Sequence, residues 1–174
     1  RTLFVCVLLT GIGSAIYHLA PNNATLIWDR LPMGLGFMAL FATVIAEMID
    51  HRWAFRLLPL LLSLGLGAVV YWAWSEANGA GDLRWYGLVQ FLPIGLILLM
   101  SVLYRAPYRY LRHLFGLIAL YGISKALEYS DAAVFQATGG WVSGHTLKHL
   151  TAAGGVLFIL RWVQSTHVGR VSAA

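Results

Sequence analysis

The sequence predicts an all-α, polytopic membrane protein, and three observations carry that prediction. Of its 174 residues, 59% are hydrophobic and only 11% are charged, where a soluble domain carries roughly 25% charge. Apolar stretches of about bilayer length recur along the chain. Between them lie short connectors rich in Gly, Pro, Asn and charge. Together these predict a single transmembrane helical bundle domain over 1–174, with six spanning helices visible and natural sequence expected upstream of residue 1.

The first stretch, 2–19, follows Arg1 and is apolar from Leu3. Residues 3–17 superficially fit a signal peptide. Ser14 and His18 near its far end, and the lack of a persuasive small-x-small cleavage site before a soluble domain, argue for a spanning helix instead. The second, 31–50, follows WDRLPM and ends on Glu47 and Asp50, read as local charge partners near Arg52. The third and fourth, 55–75 and 85–104, are mostly apolar and of spanning length. The fifth, 111–129, is weaker by hydropathy, because it carries Lys125 and Glu128 three residues apart. That spacing lets the two pair on one helix face, or lets long stems snorkel to the interface. The sixth spans 142–163.

Trp28, Trp53, Trp85, Tyr86, Tyr104, Tyr108, Tyr110 and Trp141 cluster near these helix ends. That is the aromatic belt of a spanning protein, not a base-stacking surface. Cys6 is the lone cysteine; it excludes an intrachain disulfide and reads as a small core residue.

The net charge of +5 does not gather on one face, as a nucleic-acid binder requires, so no nucleic-acid partner is expected. Arg1, Arg52, Arg56, Arg105, Arg109, Arg112, Arg161 and Arg170 fall on one side of the bundle. Arg30, Arg84, Lys125 and Lys148 fall on the other. The positive-inside rule makes the first side, with the C-terminus, cytoplasmic. Short loops suggest a bacterial inner membrane, with the second side periplasmic or luminal. The oligomeric state is not legible.

The same topology gathers polar residues on that second side. Ser14 and His18, four apart, share one face of the first helix. Asp29 stands where the second helix begins, and His145 and His149, again four apart, open the last. Ionisable groups are expensive in lipid unless paired, hydrated or bound. Three imidazoles can share one Zn²⁺ and leave its fourth position for water, whose pKa zinc lowers to about 7. Asp29 can then take a proton from that water, while Ser14 supports an oxyanion or orients Asp29.

Plainer readings stand beside each residue. Ser14 can bond a carbonyl one turn back, Asp29 can cap the second helix ahead of Pro32, and an HxxxH spacing arises by chance. His51, His113 and His167 lie on the cytoplasmic side as interfacial polarity. A metal-free serine hydrolase built on Ser14, His18 and Asp29 leaves His145 and His149 unexplained. A transporter or channel expects polar groups through the midplane.

The set Ser14-xxx-His18, Asp29 eleven residues later, and late His145-xxx-His149 resembles the alkaline ceramidase family. That family belongs to a wider seven-helix group of membrane hydrolases and receptors that includes progestin and adiponectin receptor relatives. GSAIYH resembles the family's glycine-serine-to-histidine stretch, DRLPM its aspartate segment, and SGHTLKHL its late histidine pair. The chain departs from the pattern at Arg30, where the family has an acidic residue, and at Lys148, where ceramidases commonly have an aromatic one. The resemblance implies a seventh helix ahead of residue 1 and Zn²⁺ held by His18, His145 and His149. It also implies a water-activating Asp29 and a supporting Ser14.

The expected function is therefore a zinc-dependent intramembrane lipid amide hydrolase. Its substrate would be a membrane lipid, ceramide or a related N-acyl lipid, cleaved to free fatty acid and amine. Arg30 and Lys148 either favour an anionic head group or simply face water. The alternative is a non-catalytic, zinc-stabilised receptor-like or structural membrane protein.

Overall fold

A computed structural model describes residues 1–104 and 108–171, with backbone alone at 108, 109 and 165–171. Arg105, Arg109, Arg170, His167 and Tyr108, which enter the charge and aromatic expectations, lie outside the described side chains. The described chain is all α: α1 (Thr2–Leu19), α2 (Asn23–Met48), α3 (His51–Ala77), α4 (Arg84–Leu103), α5 (Tyr108–Tyr129), α6 (Asp131–Ala137) and α7 (Gly144–Val171). Helices α1–α4 form one compact unit and α5–α7 a second.

Four of these helices, α1 to α4, are long and apolar enough to cross a membrane. Helices α5 and α7 have the length, at 22 and 28 residues, but α5 is interrupted by Arg112, Lys125 and Glu128. Lys125 and Glu128 do pair, at 2.6 Å, as their spacing predicts.

In the first unit α2 packs against α1, α3 and α4. Its inner face buries Met38, Ala39, Ala42, Val44 and Ile45, beside Ala68, Val69 and Trp72 of α3 and Ile97 and Met100 of α4. Between lipid-facing helices no water is released, so close packing of small residues drives the contact. A Cβ on Gly65 would lie 2.9 Å from the Gly34 carbonyl oxygen, so the α2 and α3 backbones touch there. Outward, α1 shows Val5, Leu8, Leu9, Ile12 and Ile16, and α4 shows Phe91, Leu92, Leu98 and Leu99. Apolar surface of that extent suits a lipid solvent. Cys6 is buried, as expected.

Helix starts are where sequence and structure differ. Asn22 accepts from the backbone N–H groups of Ala24 and Thr25, and Thr25 Oγ1 accepts from the Asn22 N–H. This reciprocal cap starts α2 at Asn23, two turns ahead of residue 31. Asp29 is therefore inside the helix, and its reading as a cap is replaced by Asn22. Asp50 likewise caps α3 through the Arg52 and Trp53 N–H groups, rather than serving as a charge partner of Arg52. Between α3 and α4, Arg84 donates two hydrogen bonds to Asp82. That guanidinium holds the Asp82 carboxyl well below the usual carboxylate range.

Trp28, Trp53, Trp85 and Trp141 are exposed near helix ends, in keeping with an interfacial belt. Tyr86 corrects that expectation: it is buried against Val69 and Trp72. Helix α6 falls in the stretch SDAAVFQATGGW, which reads as a bare connector in the sequence.

Candidate metal centre

The paired histidines sit on the first two turns of α7, and three local devices fix that helix start. Ser143 Oγ accepts from the Thr146 N–H at 3.0 Å. Asp131, at the start of α6, accepts from the His145 N–H at 2.7 Å. A Cβ on Gly144 would lie 2.3 Å from the Leu127 carbonyl oxygen and 2.8 Å from Asp131 Cα, so the α7 start rests directly on the α5–α6 corner. Two of the donors that any helix leaves orphaned at its N-terminus are thereby satisfied. Sequence reading missed Asp131, because its role depends on α6 folding back. Asp131→Ala is expected to destabilise the protein by about 1 kcal/mol and to increase amide exchange at His145 before the rest of α7. Hydrogen exchange resolved along α7 checks this; uniform protection would refute it.

One turn apart on this anchored helix, the Nε2 atoms of His145 and His149 are 3.1 Å from each other. Two imidazole ligands at about 2.0–2.1 Å from a tetrahedral ion are separated by about 3.3 Å. The pair therefore already has nearly the spacing of two ligands to one metal.

His18 ends α1 in the first unit, and Tyr17 packs a tilted ring on it with centroids 5.2 Å apart. His18, His145 and His149 each offer one ring nitrogen to a set that could hold a metal ion. His18 and His149 are exposed and His145 is half-buried. Three neutral imidazoles are a borderline-soft donor set of the kind that holds Zn²⁺, Cu²⁺ or Ni²⁺. The chain thus carries a three-histidine cluster able to coordinate a metal ion.

The remaining expected residues lie on α1 and α2. Ser14 Oγ is buried and has no hydrogen-bond partner, so the expectation that it bonds back to a carbonyl one turn away does not hold. Beside it, Gly13 meets the backbone of Trp28: a Cβ there would lie 1.9 Å from the Trp28 carbonyl oxygen and 3.3 Å from the Asp29 nitrogen. The Ser14 turn of α1 and the Asp29 turn of α2 are therefore neighbours. The metal-capable set itself contains no carboxylate.

The two cations beside these motifs have different settings. Lys148 donates to Glu128 at 2.9 Å, and Glu128 also takes Lys125. Lys148 is thus paired rather than facing water, which corrects that reading of it. Arg30 lies over the Trp72 ring, 4.1 Å from the centroid, with Tyr86 at 5.3 Å. This stacking turns the guanidinium into the α2–α3–α4 packing, which corrects the reading that it faces water. Comparison with protein-family models, with curated proteins and with solved structures found no match to this chain.

Proposed function

We propose that the chain is a polytopic membrane protein in which His18, His145 and His149 hold a zinc ion, and that in its simplest form the ion fastens helices together. The observation that carries this reading is the 3.1 Å Nε2–Nε2 spacing of His145 and His149, two of the three histidines of the metal-capable set. It needs no substrate and no further residue. The set corresponds to the alternative of a zinc-stabilised, receptor-like or structural bundle. Six spans, on the strength of the apolar stretches, with a cytoplasmic C-terminus and a site on the periplasmic or luminal side, on the strength of the positive-inside asymmetry, complete the proposal.

A second reading, a ceramidase-like lipid amide hydrolase, is favoured by a specific observation. Ser14 Oγ is a buried hydroxyl without a partner, one residue from the point where α1 meets the Trp28–Asp29 backbone. Unsatisfied buried polar atoms are uncommon and point to a ligand or a catalytic role. In this reading a three-histidine zinc site supplies Lewis acidity and a more acidic water. The Asp29 carboxylate accepts the proton of the attacking water and passes it to the departing amine nitrogen. Ser14 Oγ donates to the oxygen on which charge develops. The balance is water plus N-acyl lipid giving fatty acid and amine.

Asp29→Ala separates the two readings. The hydrolase reading expects release of fatty acid from ceramide or another N-acyl lipid by the purified protein, about 10²–10⁴-fold slower in the variant, with zinc content unchanged. A wild-type protein that retains zinc and cleaves no lipid amide leaves the structural reading standing alone.

A further inference from the structure

Helices α5 and α7 run antiparallel: Ser124 meets Lys148 near one end and His113 meets Phe158 toward the other. At that second end, Arg112, His113, Phe158, Arg161 and Gln164 line an open cavity of about 460 Å³. Among the described residues no Asp or Glu lines it. It therefore concentrates two guanidinium groups without a counter-charge, which exposed arginines in solvent tolerate but which marks an anion site when they converge.

His113 makes the cavity more than a pair of surface arginines. It is only 7% exposed, held edge-on to Phe158 with ring centroids 6.2 Å apart. Arg112 Nε donates to its Nε2 at 3.4 Å. A neutral imidazole that accepts at Nε2 carries its proton on Nδ1. That Nδ1 is buried and has no partner, so it is a desolvated donor awaiting an acceptor. The cavity wall thus carries two guanidiniums and the Gln164 amide as donors, with the His113 ring beside them and its N–H buried just behind the surface.

We propose that this cavity binds the phosphate of an anionic lipid head group, gripped by Arg112 and Arg161 with His113 as the inner donor. A lipid is favoured over a free anion because the cavity is open and lies at helix ends of a bilayer-spanning chain. Basic pockets between helices on the cytoplasmic side are the recognised setting for such head groups, and the charge asymmetry assigns this end to that side. The cavity lies toward the other end of α7 from His145 and His149, and its occupancy does not depend on whether they hold zinc.

The test is native mass spectrometry of the full chain released from nanodiscs of phosphatidylcholine doped with phosphatidylglycerol. Wild-type protein is expected to retain phosphatidylglycerol in preference. The double variant Arg112→Gln/Arg161→Gln should lose about 25-fold of that preference, at about fivefold per arginine. His113→Phe should weaken it without removing charge, whereas Arg52→Gln, on an exposed basic residue of α3, should leave it unchanged. Equal retention of the two lipids by wild-type protein overturns the proposal whatever the variants do. So does an equal loss on Arg52→Gln, which would mean a diffuse charge effect. Displacement of the retained lipid by inorganic phosphate at a concentration that leaves Arg52→Gln behaviour unchanged supports the phosphate contact. Phosphate binding with no lipid preference overturns the lipid assignment.

Discussion

Replacing His149 by Ala is expected to abolish metal binding, with metal per chain falling from about one ion to background by X-ray fluorescence of the purified protein. The variant removes one of three donors and also the partner of His145 Nε2 at 3.1 Å. Loss of an outer hydrogen-bonding partner alone weakens metal sites about 10–100-fold, so loss of a ligand should exceed that range. His18→Ala and His145→Ala should behave alike, and His51→Ala, at the start of α3 and outside the cluster, should retain the ion. An ion held by these histidines would bind the folded protein, so wild-type protein should also lose thermal stability on chelation, by about 4 kcal/mol where zinc stands at a thousand times its dissociation constant. Retention of metal by both His145→Ala and His149→Ala would refute the centre.

Much of this arrangement is legible in the sequence, for identifiable reasons. The apolar stretches that become α1 to α4 are long and carry few charges, so hydropathy alone finds them. The i,i+4 spacing of His145 and His149 fixes a shared face whatever the rest of the chain does. The pairing of Lys125 with Glu128 follows from the same geometry. What the sequence hides is long-range. Asn22 and Thr25 look like connector residues until their reciprocal cap is seen, and Asp131 matters only because α6 returns it to the His145 N–H. Lys148 reads as a free charge beside the motif, because its partner Glu128 is twenty residues away on another helix. His113 reads as interfacial polarity, because neither its burial nor the facing Arg161 follows from local spacing.

The same distinction explains why Arg30 differs from its appearance in DRLPM. A charged residue next to Asp29 suggests a site charge, yet the neighbours that define it come from α3 and α4. Stacked over Trp72 and near Tyr86, it fastens α2 to both, and its buried Nη1 has no hydrogen-bond partner. The guanidinium is placed by aromatic faces, not by a carboxylate. Sequence neighbours cannot report that.

Gly13→Ala is expected to cost about 1–3 kcal/mol, the range for overpacking a filled interface, through the most severe close approach in the α1–α2 contact. The added Cβ would lie 1.9 Å from the Trp28 carbonyl oxygen and 2.7 Å from its carbon. Both are backbone atoms, so no side chain can rotate away and the helices must part. That carbonyl is special for a reason written in the sequence. Pro32 stands four residues after Trp28 inside α2 and has no N–H to offer it. The oxygen therefore lacks its usual intrahelical donor, and the bare face of Gly13 lets α1 come close enough for a Cα–H···O contact. Gly11→Ala is the matched control: a Cβ there meets nothing within 4 Å, and helix propensity alone makes the change neutral or stabilising by up to about 1 kcal/mol. Thermal unfolding in the same detergent should show Gly13→Ala below the unsubstituted protein and Gly11→Ala at or above it. If they shift equally, the Gly13 contact is not what holds the Ser14 turn of α1 beside the Asp29 turn of α2. The hydrolase reading would then lose the device that brings those two residues together.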